Sequence, residues 1–113
     1  MDEQMSRRID SIIAADPVVL FMKGTPLAPQ CGFSASVARI LMQLGVEFAS
    51  VNVLEEPELR DAIKTYADWP TIPQLYIGGE FVGGADITRD MMATGELMAL
   101  LKAKGVTLPG LAL

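Results

Sequence analysis

Apolar positions along the chain follow two patterns, one typical of helices and one typical of buried strands. Apolar residues recur at Met5, Ile9 and Ile12, a spacing that predicts an amphipathic helix over residues 3–15. Residues 18–22 are continuously apolar, with the sequence Val-Val-Leu-Phe-Met, which predicts a strand that is buried on both faces. The chain is therefore predicted to begin with a helix that is followed by a buried strand.

Glycines and prolines separate the later elements. Residues 23–30 contain one glycine and two prolines and are predicted to form a loop. The elements after it are, in chain order, a helix that ends at about Leu44, a strand within 48–54, a helix from Pro57 to about Ala67, strands at 75–77 and 80–82, and two helices separated by Gly95. Asp86 is predicted as the N-cap of the first of these two helices, and the tail at 105–113 is predicted to be loose.

This order of elements predicts an α/β fold with one small mixed sheet. The first two long strands are joined by a helix, which makes them parallel with a right-handed crossover. The two strands around Gly78-Gly79 form a tight antiparallel hairpin. We therefore expect a four-stranded mixed sheet flanked by helices on both faces. The 113 residues are expected to form a single domain, residues 1–113, with a core over about residues 5–102.

Composition and charge exclude several classes of function. The net charge is −5 at pH 7, whereas nucleic acids and anionic membranes call for a basic face, so neither is expected as a partner. The chain contains no histidine, which excludes His-based catalytic triads and His-ligated zinc. Its single cysteine, Cys31, has no partner for an intrachain disulfide. A disulfide-stapled secreted domain is therefore excluded as well.

The pattern of apolar runs also bears on location. The longest run of large apolar residues covers only residues 18–22, whereas a membrane-spanning helix needs about 20 apolar residues. A soluble protein is therefore expected. The N-terminal residues Met1-Asp2-Glu3-Gln4 are acidic and fit neither a secretory signal nor an acid-poor transit peptide. We expect a cytoplasmic location, and an organellar origin stays open if the chain was trimmed.

Cys31 is the strongest candidate for chemistry. It stands where a Pro- and Gly-rich loop becomes a helix, and a helix N-terminus presents unpaired N–H groups and a positive dipole end. Such a position stabilises a thiolate, and Lys23 at the start of the same loop adds positive potential. Ser34, three residues on, can hydrogen-bond the thiolate but cannot form a disulfide. A reactive or metal-ligating thiol is therefore favoured over a buried, inert one.

Other features stay open when they are read from the residues alone. Because cis X–Pro bonds are rare, at about 5–6% in folded proteins, Pro73 is predicted to be trans. The pair Gly83-Gly84 offers unshielded backbone N–H groups, although a turn is the simpler interpretation. Arg60 and Lys64 are four residues apart on one helix face, which fits a solvated basic edge.

Three segments, taken in order, closely resemble the monothiol glutaredoxins. They are Lys-Gly-Thr-Pro at 23–26 with Pro-Gln-Cys-Gly-Phe-Ser at 29–34, Trp-Pro-Thr-Ile-Pro at 69–73, and Gly-Gly-Ala-Asp at 83–86. The tetrad Cys-Gly-Phe-Ser marks one class within that family. The resemblance covers about residues 5–102 and implies a thioredoxin fold, which agrees with the predicted order of strands and helices.

The resemblance implies a binding site for glutathione. Lys23 and Arg60 would face the glycine carboxylate of the tripeptide. Ile72 would pair through its backbone with the cysteinyl part, as an added strand does, and Pro73 would then be cis. The γ-glutamyl end would be held by Gly84, Ala85 and Asp86. Many relatives have a second cysteine where this chain has Ala85, so a disulfide through that position is excluded, whereas backbone contact there is not.

The resemblance also implies a carrier for a 2Fe–2S cluster. Such a cluster takes four thiolates, or two thiolates and two histidines, whereas one chain offers only Cys31. Two chains would supply two thiolates and two glutathione molecules would supply the others, in a homodimer that forms when the cluster is loaded. The partners that the resemblance implies are BolA-like proteins and apo iron–sulfur acceptors.

Two other hypotheses for the function remain besides the carrier of a 2Fe–2S cluster. In the first, Cys31 attacks a glutathione mixed disulfide and a second glutathione resolves the product, which makes the protein a glutathione-dependent monothiol oxidoreductase. Members of the Cys-Gly-Phe-Ser class are generally poor at this reaction, so at most a weak enzyme is expected. In the second, the chain is a redox-inert interaction module with Cys31 buried, and Cys31→Ser would change neither binding nor spectrum.

Overall fold

The computed structural model describes residues 2–109, and none of the helices within that range is both long and apolar enough to cross a membrane. The helices are α1 (Glu3–Ala15), α2 (Gly32–Gln43), α3 (Pro57–Ala67), α4 (Ala85–Thr94) and α5 (Glu96–Ala103). The strands are β1 (Val18–Met22), β2 (Gly24–Thr25), β3 (Ala28–Pro29), β4 (Ala49–Asn52), β5 (Gln74–Ile77) and β6 (Glu80–Gly83). A short 3₁₀ turn, Val53–Glu55, follows β4 where the sequence predicts a longer strand.

Strand β1 lies inside a four-stranded mixed sheet with the order β4-β1-β5-β6. It pairs in parallel with β4, where Leu20 lies opposite Ser50, and antiparallel with β5, where Leu20 lies opposite Leu75. Strands β5 and β6 form an antiparallel hairpin around Gly78 and Gly79, which both have the positive φ that a two-residue hairpin turn needs. The four-stranded mixed sheet expected from the sequence is confirmed.

The sheet is covered on both faces because β1 sends alternate side chains into two apolar clusters. Val18, Leu20 and Met22 pack with residues of α2 and α5 in one cluster. Val19 and Phe21 pack with residues of α1 and α3 in the other. All five side chains are fully buried, and each contributes about 1.5–3 kcal/mol through removal from water. The continuous apolar run therefore reflects burial on both faces, as predicted, with helices on each side.

The segment predicted as a loop before Cys31 contains a small hairpin. Strands β2 and β3 pair antiparallel in a second sheet, with Gly24 opposite Pro29. Gly24 has a φ of +88°, and a Cβ there would lie 2.6 Å from the carbonyl oxygen of Ala28. Only glycine fits this close approach. Pro29 does not prevent the pairing, because an edge strand tolerates a residue without an N–H.

The start of α4 corrects one prediction. The helix begins at Ala85 with Gly84 as its N-cap, so the prediction that Asp86 caps it is wrong. The Asp86 side chain instead forms an ion pair with Arg89, three residues along the same helix. Asp86 still lies in the first turn, where a negative charge interacts favourably with the helix dipole.

The segment after α5 corrects another prediction. The N–H of Val106 donates to the carbonyl oxygen of Leu101 at 2.9 Å, and Leu108 is buried against the cluster that contains α2 and α5. The tail is therefore attached to the core as far as Leu108, because an apolar side chain in this segment reaches the core. The predicted looseness of residues 110–113 falls outside the described residues.

Candidate functional site

A groove with a volume of about 690 Å³ lies beside Cys31, within the range of about 300–1,000 Å³ that is usual for small-molecule sites. Five parts of the chain form it: Lys23 after β1, the start of α2, Lys64 of α3, the loop at 69–73 and the start of α4. The lining residues are Lys23, Cys31, Phe33, Lys64, Trp69, Pro70, Thr71, Ile72, Pro73, Gly84, Ala85, Asp86 and Ile87. The fold therefore brings together every predicted site residue except Arg60.

Cys31 is the N-cap residue of α2, with an extended backbone at φ −154° and ψ 134°. Its half-buried side chain lies at the groove, next to the N–H groups of the first helical turn. Hydrogen bonds from the backbone N–H groups of Ser34 and Phe33, and the charge of Lys23, lower the pKa of the Cys31 thiol, although partial burial opposes them. The thiolate, which attacks disulfides and ligates metals, is therefore favoured here.

Ser34 connects the thiol to the segment that bears Lys23. Its side chain is fully buried, and its hydroxyl oxygen accepts a hydrogen bond from the backbone N–H of Lys23 at 3.1 Å. The hydroxyl also makes a small contribution to the lowered pKa of the Cys31 thiol. The next N–H, of Gly24, donates to the side-chain oxygen of Asn52 at 2.9 Å and ties the β2–β3 hairpin to β4. The contact between Ser34 and Lys23 was not foreseen from the sequence.

The loop at 69–73 forms one wall of the groove. The peptide bond between Ile72 and Pro73 is cis. The trans bond predicted from the base rate is therefore wrong, and the cis bond implied by the resemblance is confirmed. Ile72 and Pro73 are both buried, immediately before β5. The backbone pairing of Ile72 with glutathione remains a prediction.

Helix α4 presents its N-terminus to the same groove. Gly84, Ala85 and Asp86 all line it, and the unpaired N–H groups of a first helical turn favour an anionic group. A Cβ on Gly84 would lie 3.3 Å from the carbonyl oxygen of Pro73 and 3.3 Å from the indole nitrogen of Trp69. The absence of a side chain at Gly84 therefore lets the loop pack closely against the start of this helix.

The basic residues at the groove differ from those expected. Lys23 and Lys64 line it, whereas Arg60, one turn earlier on α3, is not among the lining residues. The Nε atom of Arg60 is buried, and it has no hydrogen-bond partner within residues 2–109. The spacing of four residues between Arg60 and Lys64 was the available signal, since it puts both on one helix face. The sequence also gave no role to Phe33 or Ile87, which both line the groove.

The described residues contain no cluster of three or more His, Cys, Asp or Glu side chains that could hold a metal ion. For an iron–sulfur centre, the chain offers only one ligand, the Cys31 sulfur, since the sequence has no other cysteine and no histidine. Any iron–sulfur cluster on this fold would therefore need ligands from outside the chain.

Comparisons with known proteins show which family the chain belongs to. The family profile "Glutaredoxin" matches residues 18–82. "Probable monothiol glutaredoxin 2" of Rickettsia conorii is 55% identical over 95 residues, which cover 84% of this chain and 89% of that protein. "Monothiol glutaredoxin-5, mitochondrial" of Lachancea kluyveri is 50% identical over 112 residues, which cover 96% and 78%. The solution structure of a monomeric truncated mutant of Trypanosoma brucei 1-C-Grx1 matches with a TM-score of 0.84 at 43% identity, over 92% of this chain and 94% of that one.

The architecture that the chain shares with its solved relative is the thioredoxin fold, as the resemblance implied. The family profile extends from the first residue of β1 to the middle of β6, so it includes the thiol, the hairpin before it and the cis-proline loop. Both sequence relatives are monothiol proteins, and this chain likewise contains a single cysteine. The chain therefore belongs to the glutaredoxin family, as one of its monothiol members.

Proposed function

We propose that the protein carries a 2Fe–2S cluster that is bridged between two protomers by two Cys31 thiolates and two glutathione molecules. The observation that carries this proposal is the thiol itself. Cys31 is the sole cysteine of the chain, it is half-exposed at a groove, and its pKa is lowered. A thiolate that is accessible and has no second thiol beside it is suited to ligate a metal centre that it shares with another molecule.

Ligand counting supports the shared site. A 2Fe–2S cluster requires four thiolates or a combination of thiolates and histidines, whereas this chain supplies one thiolate. A second protomer and two thiols from small molecules complete the set. Half of the ligands are then exchangeable, so the cluster is held loosely enough to be passed to another protein. We therefore treat the cluster as cargo rather than as a resident cofactor.

The charged groups at the groove suit those of glutathione. The tripeptide has two carboxylates and one ammonium group. Lys23, Lys64 and the N-terminus of α4 offer positive potential, and the Asp86 carboxylate lines the same groove. We propose that Lys23 and Arg60 or Lys64 face the glycine carboxylate. The backbone of Ile72, beside Pro73, pairs with the cysteinyl part. The γ-glutamyl end is held by Gly84, Ala85 and Asp86.

Exposed apolar side chains around the thiol support a dimer that forms with the cluster. Phe33, two residues after Cys31, is 61% exposed, and Ile87, which lines the same groove at the start of α4, is 36% exposed. Leu27, in the hairpin that leads to Cys31, is 89% exposed. A second protomer that approaches Cys31 would cover Phe33 and Ile87, and their burial would favour association.

The proposal extends to partners, on the resemblance alone, and to location. BolA-like proteins and apo iron–sulfur proteins are the expected partners, because they would share or accept the cluster. The cytoplasm is the expected compartment. The Lachancea kluyveri relative is described as mitochondrial, so the location of this chain is best tested directly.

A second function, weak glutathione-dependent oxidoreduction, is favoured by the lowered thiol pKa. The Cys31 thiolate would attack the glutathione sulfur of a mixed disulfide, form a disulfide with it and release the other thiol. A second glutathione thiolate would then attack that disulfide, which frees Cys31 and yields oxidised glutathione. No second cysteine in the chain is required, so the sequence permits this reaction.

Anaerobic reconstitution with iron, sulfide and glutathione tests the proposal. We expect 2Fe–2S absorbance in a species of dimer mass by size exclusion, and we expect it to be lost in Cys31→Ser and without glutathione. Phe33→Ser should weaken the loaded dimer. The matched control is Met42→Ser, which alters an exposed apolar residue of the same helix that does not line the groove.

The opposite result is a colourless monomer under every condition, which would overturn the carrier. A turnover assay with a glutathione mixed disulfide would then test the oxidoreductase. Activity that depends on Cys31 would support the oxidoreductase. Absence of activity would support the remaining hypothesis, a redox-inert interaction module.

A further inference from the structure

Gln74 is a polar residue in the middle of the core. Its side chain is 0% exposed, and it is the first residue of β5, directly after the cis-proline. A buried amide is costly unless its donors and acceptor are satisfied, so its presence calls for a physical reason.

The Gln74 side chain holds the groove wall that precedes it. Its Nε2 group donates to the carbonyl oxygen of Trp69 at 3.2 Å and to that of Thr71 at 3.3 Å. Its Oε1 atom accepts a hydrogen bond from the Tyr76 hydroxyl at 3.1 Å. Both donors of the amide are therefore used on the loop, and its acceptor is used on a buried neighbour.

Tyr76, whose hydroxyl donates to the Gln74 amide, is held firmly by the aromatic residues around it. Its side chain is almost fully buried, and its ring lies 5.6 Å from that of Phe21 and 5.4 Å from that of Phe81, centroid to centroid. The hydroxyl that donates to Gln74 therefore stands on a packed aromatic cluster. The position of the amide, and through it the position of the loop carbonyls, is set by the core.

The loop needs such support because Pro70 and Pro73 have no N–H to pair with the sheet. The buried Gln74 amide takes the place of backbone pairing, because it donates to two carbonyl groups of this loop. Gln74 does not itself line the groove, whereas all of residues 69–73 do. Its effect on a ligand is therefore indirect and passes through the shape of the wall.

We propose that Gln74 is a positioning residue that fixes the loop at 69–73 in the shape that binds glutathione. This inference rests on the proposed function, because it takes glutathione as the ligand of the groove. The acidity of Cys31 arises instead at the start of α2, so the two properties are separable. Loss of the Gln74 amide should weaken binding and leave the thiol unchanged.

The test is glutathione binding by calorimetry to Gln74→Met, which keeps the length of the side chain but removes both donors. We expect the Kd to rise about tenfold, the order of change that loss of one hydrogen bond gives. The pH dependence of Cys31 alkylation should stay at the wild-type position. The matched control is Leu75→Met, which introduces the same residue at a fully buried neighbour in the same strand that does not line the groove, and its Kd should stay within about twofold of wild type.

The outcomes separate the two proposals. If wild type binds glutathione and Gln74→Met binds equally well, the positioning role is overturned and the proposed function stands. If wild type does not bind glutathione, both fall. Should Gln74→Met fail to fold, NMR of the wild-type Gln74 side-chain amide replaces it. Slow proton exchange, with shifts that move when glutathione is added, supports the role, and fast exchange overturns it.

Discussion

The backbone N–H of Lys23 donates a hydrogen bond of 3.1 Å to the buried hydroxyl oxygen of Ser34, which joins the end of β1 to the first turn of α2. This bond fixes the segment that bears a groove cation beside the helix that begins at Cys31. The same hydroxyl also helps to lower the pKa of the Cys31 thiol. One small polar side chain therefore holds the loop and favours the thiolate at once.

Ser34→Ala should affect both functions of that hydroxyl. Loss of the acceptor leaves the Lys23 N–H unpaired in a partly buried place, at a cost of about 1 kcal/mol in the free energy of unfolding. Loss of the hydroxyl also raises the pKa of Cys31, so alkylation at neutral pH should slow. Ser36→Ala, a half-buried serine of the same helix, is the control and should change neither quantity appreciably. Unchanged unfolding and alkylation in Ser34→Ala would contradict the assignment.

The lowered pKa of Cys31 makes stability depend on pH in a defined direction. The native state favours the thiolate, whereas the unfolded thiol titrates at about pH 8.5, so the unfolded state binds more protons between the two pKa values. The stabilisation is complete above the unfolded pKa and is lost as the pH falls through the folded one. Urea unfolding from about pH 6 to about pH 9 should show wild type gaining stability relative to Cys31→Ser. If the difference in stability between wild type and Cys31→Ser stayed constant with pH, the lowered pKa of Cys31 would be contradicted.

Lys64 and Arg60 should contribute unequally to glutathione binding. Lys64 lines the groove and Arg60 does not, so Lys64→Gln should raise the Kd about three- to tenfold through loss of a charge-assisted contact. Arg60→Gln, one turn away on α3, should have a smaller effect. Calorimetry at low and high salt checks this, because the Lys64 contribution should shrink as screening increases. A larger loss in Arg60→Gln would favour the assignment made from family resemblance.

Two glycines near the groove should respond to alanine in opposite ways. In Gly84→Ala the new Cβ would crowd Pro73 and Trp69 at 3.3 Å, so we expect a loss of about 1 kcal/mol in the free energy of unfolding. Gly32→Ala adds a Cβ with no heavy atom within 4 Å, in the first turn of α2, and should gain about 0.5–1 kcal/mol. Denaturant unfolding measures both changes. Equal changes in the free energy of unfolding would mean that the close packing at Gly84 does not contribute to stability.

The elements that follow from local pattern were predictable from the sequence. The continuous apolar run at 18–22 predicted a strand that is buried on both faces. In the structure, alternate side chains of this strand enter two different apolar clusters. Cys31 could be identified as a thiol at a helix start because the loop before it is rich in proline and glycine. The turn at Gly78-Gly79 followed from the positive φ that a tight hairpin requires.

Features that depend on contacts distant in the sequence were missed. Asp86 has the residue type of an N-cap, but the helix starts two residues earlier than that cap would allow, because Gly84 takes the N-cap position against the cis-proline loop. The role of Lys64 depends on where α3 packs. The role of Gln74 depends on carbonyl groups that turn inward only once the loop is folded. No periodicity in the sequence records any of these.

Native mass spectrometry of the anaerobically reconstituted protein tests the central claim most directly. The account predicts one species that contains two chains, one 2Fe–2S cluster and two glutathione molecules, and predicts that it disperses to apo monomers when glutathione is removed. A cluster that is held by a single chain, or one that survives complete removal of glutathione, would contradict it.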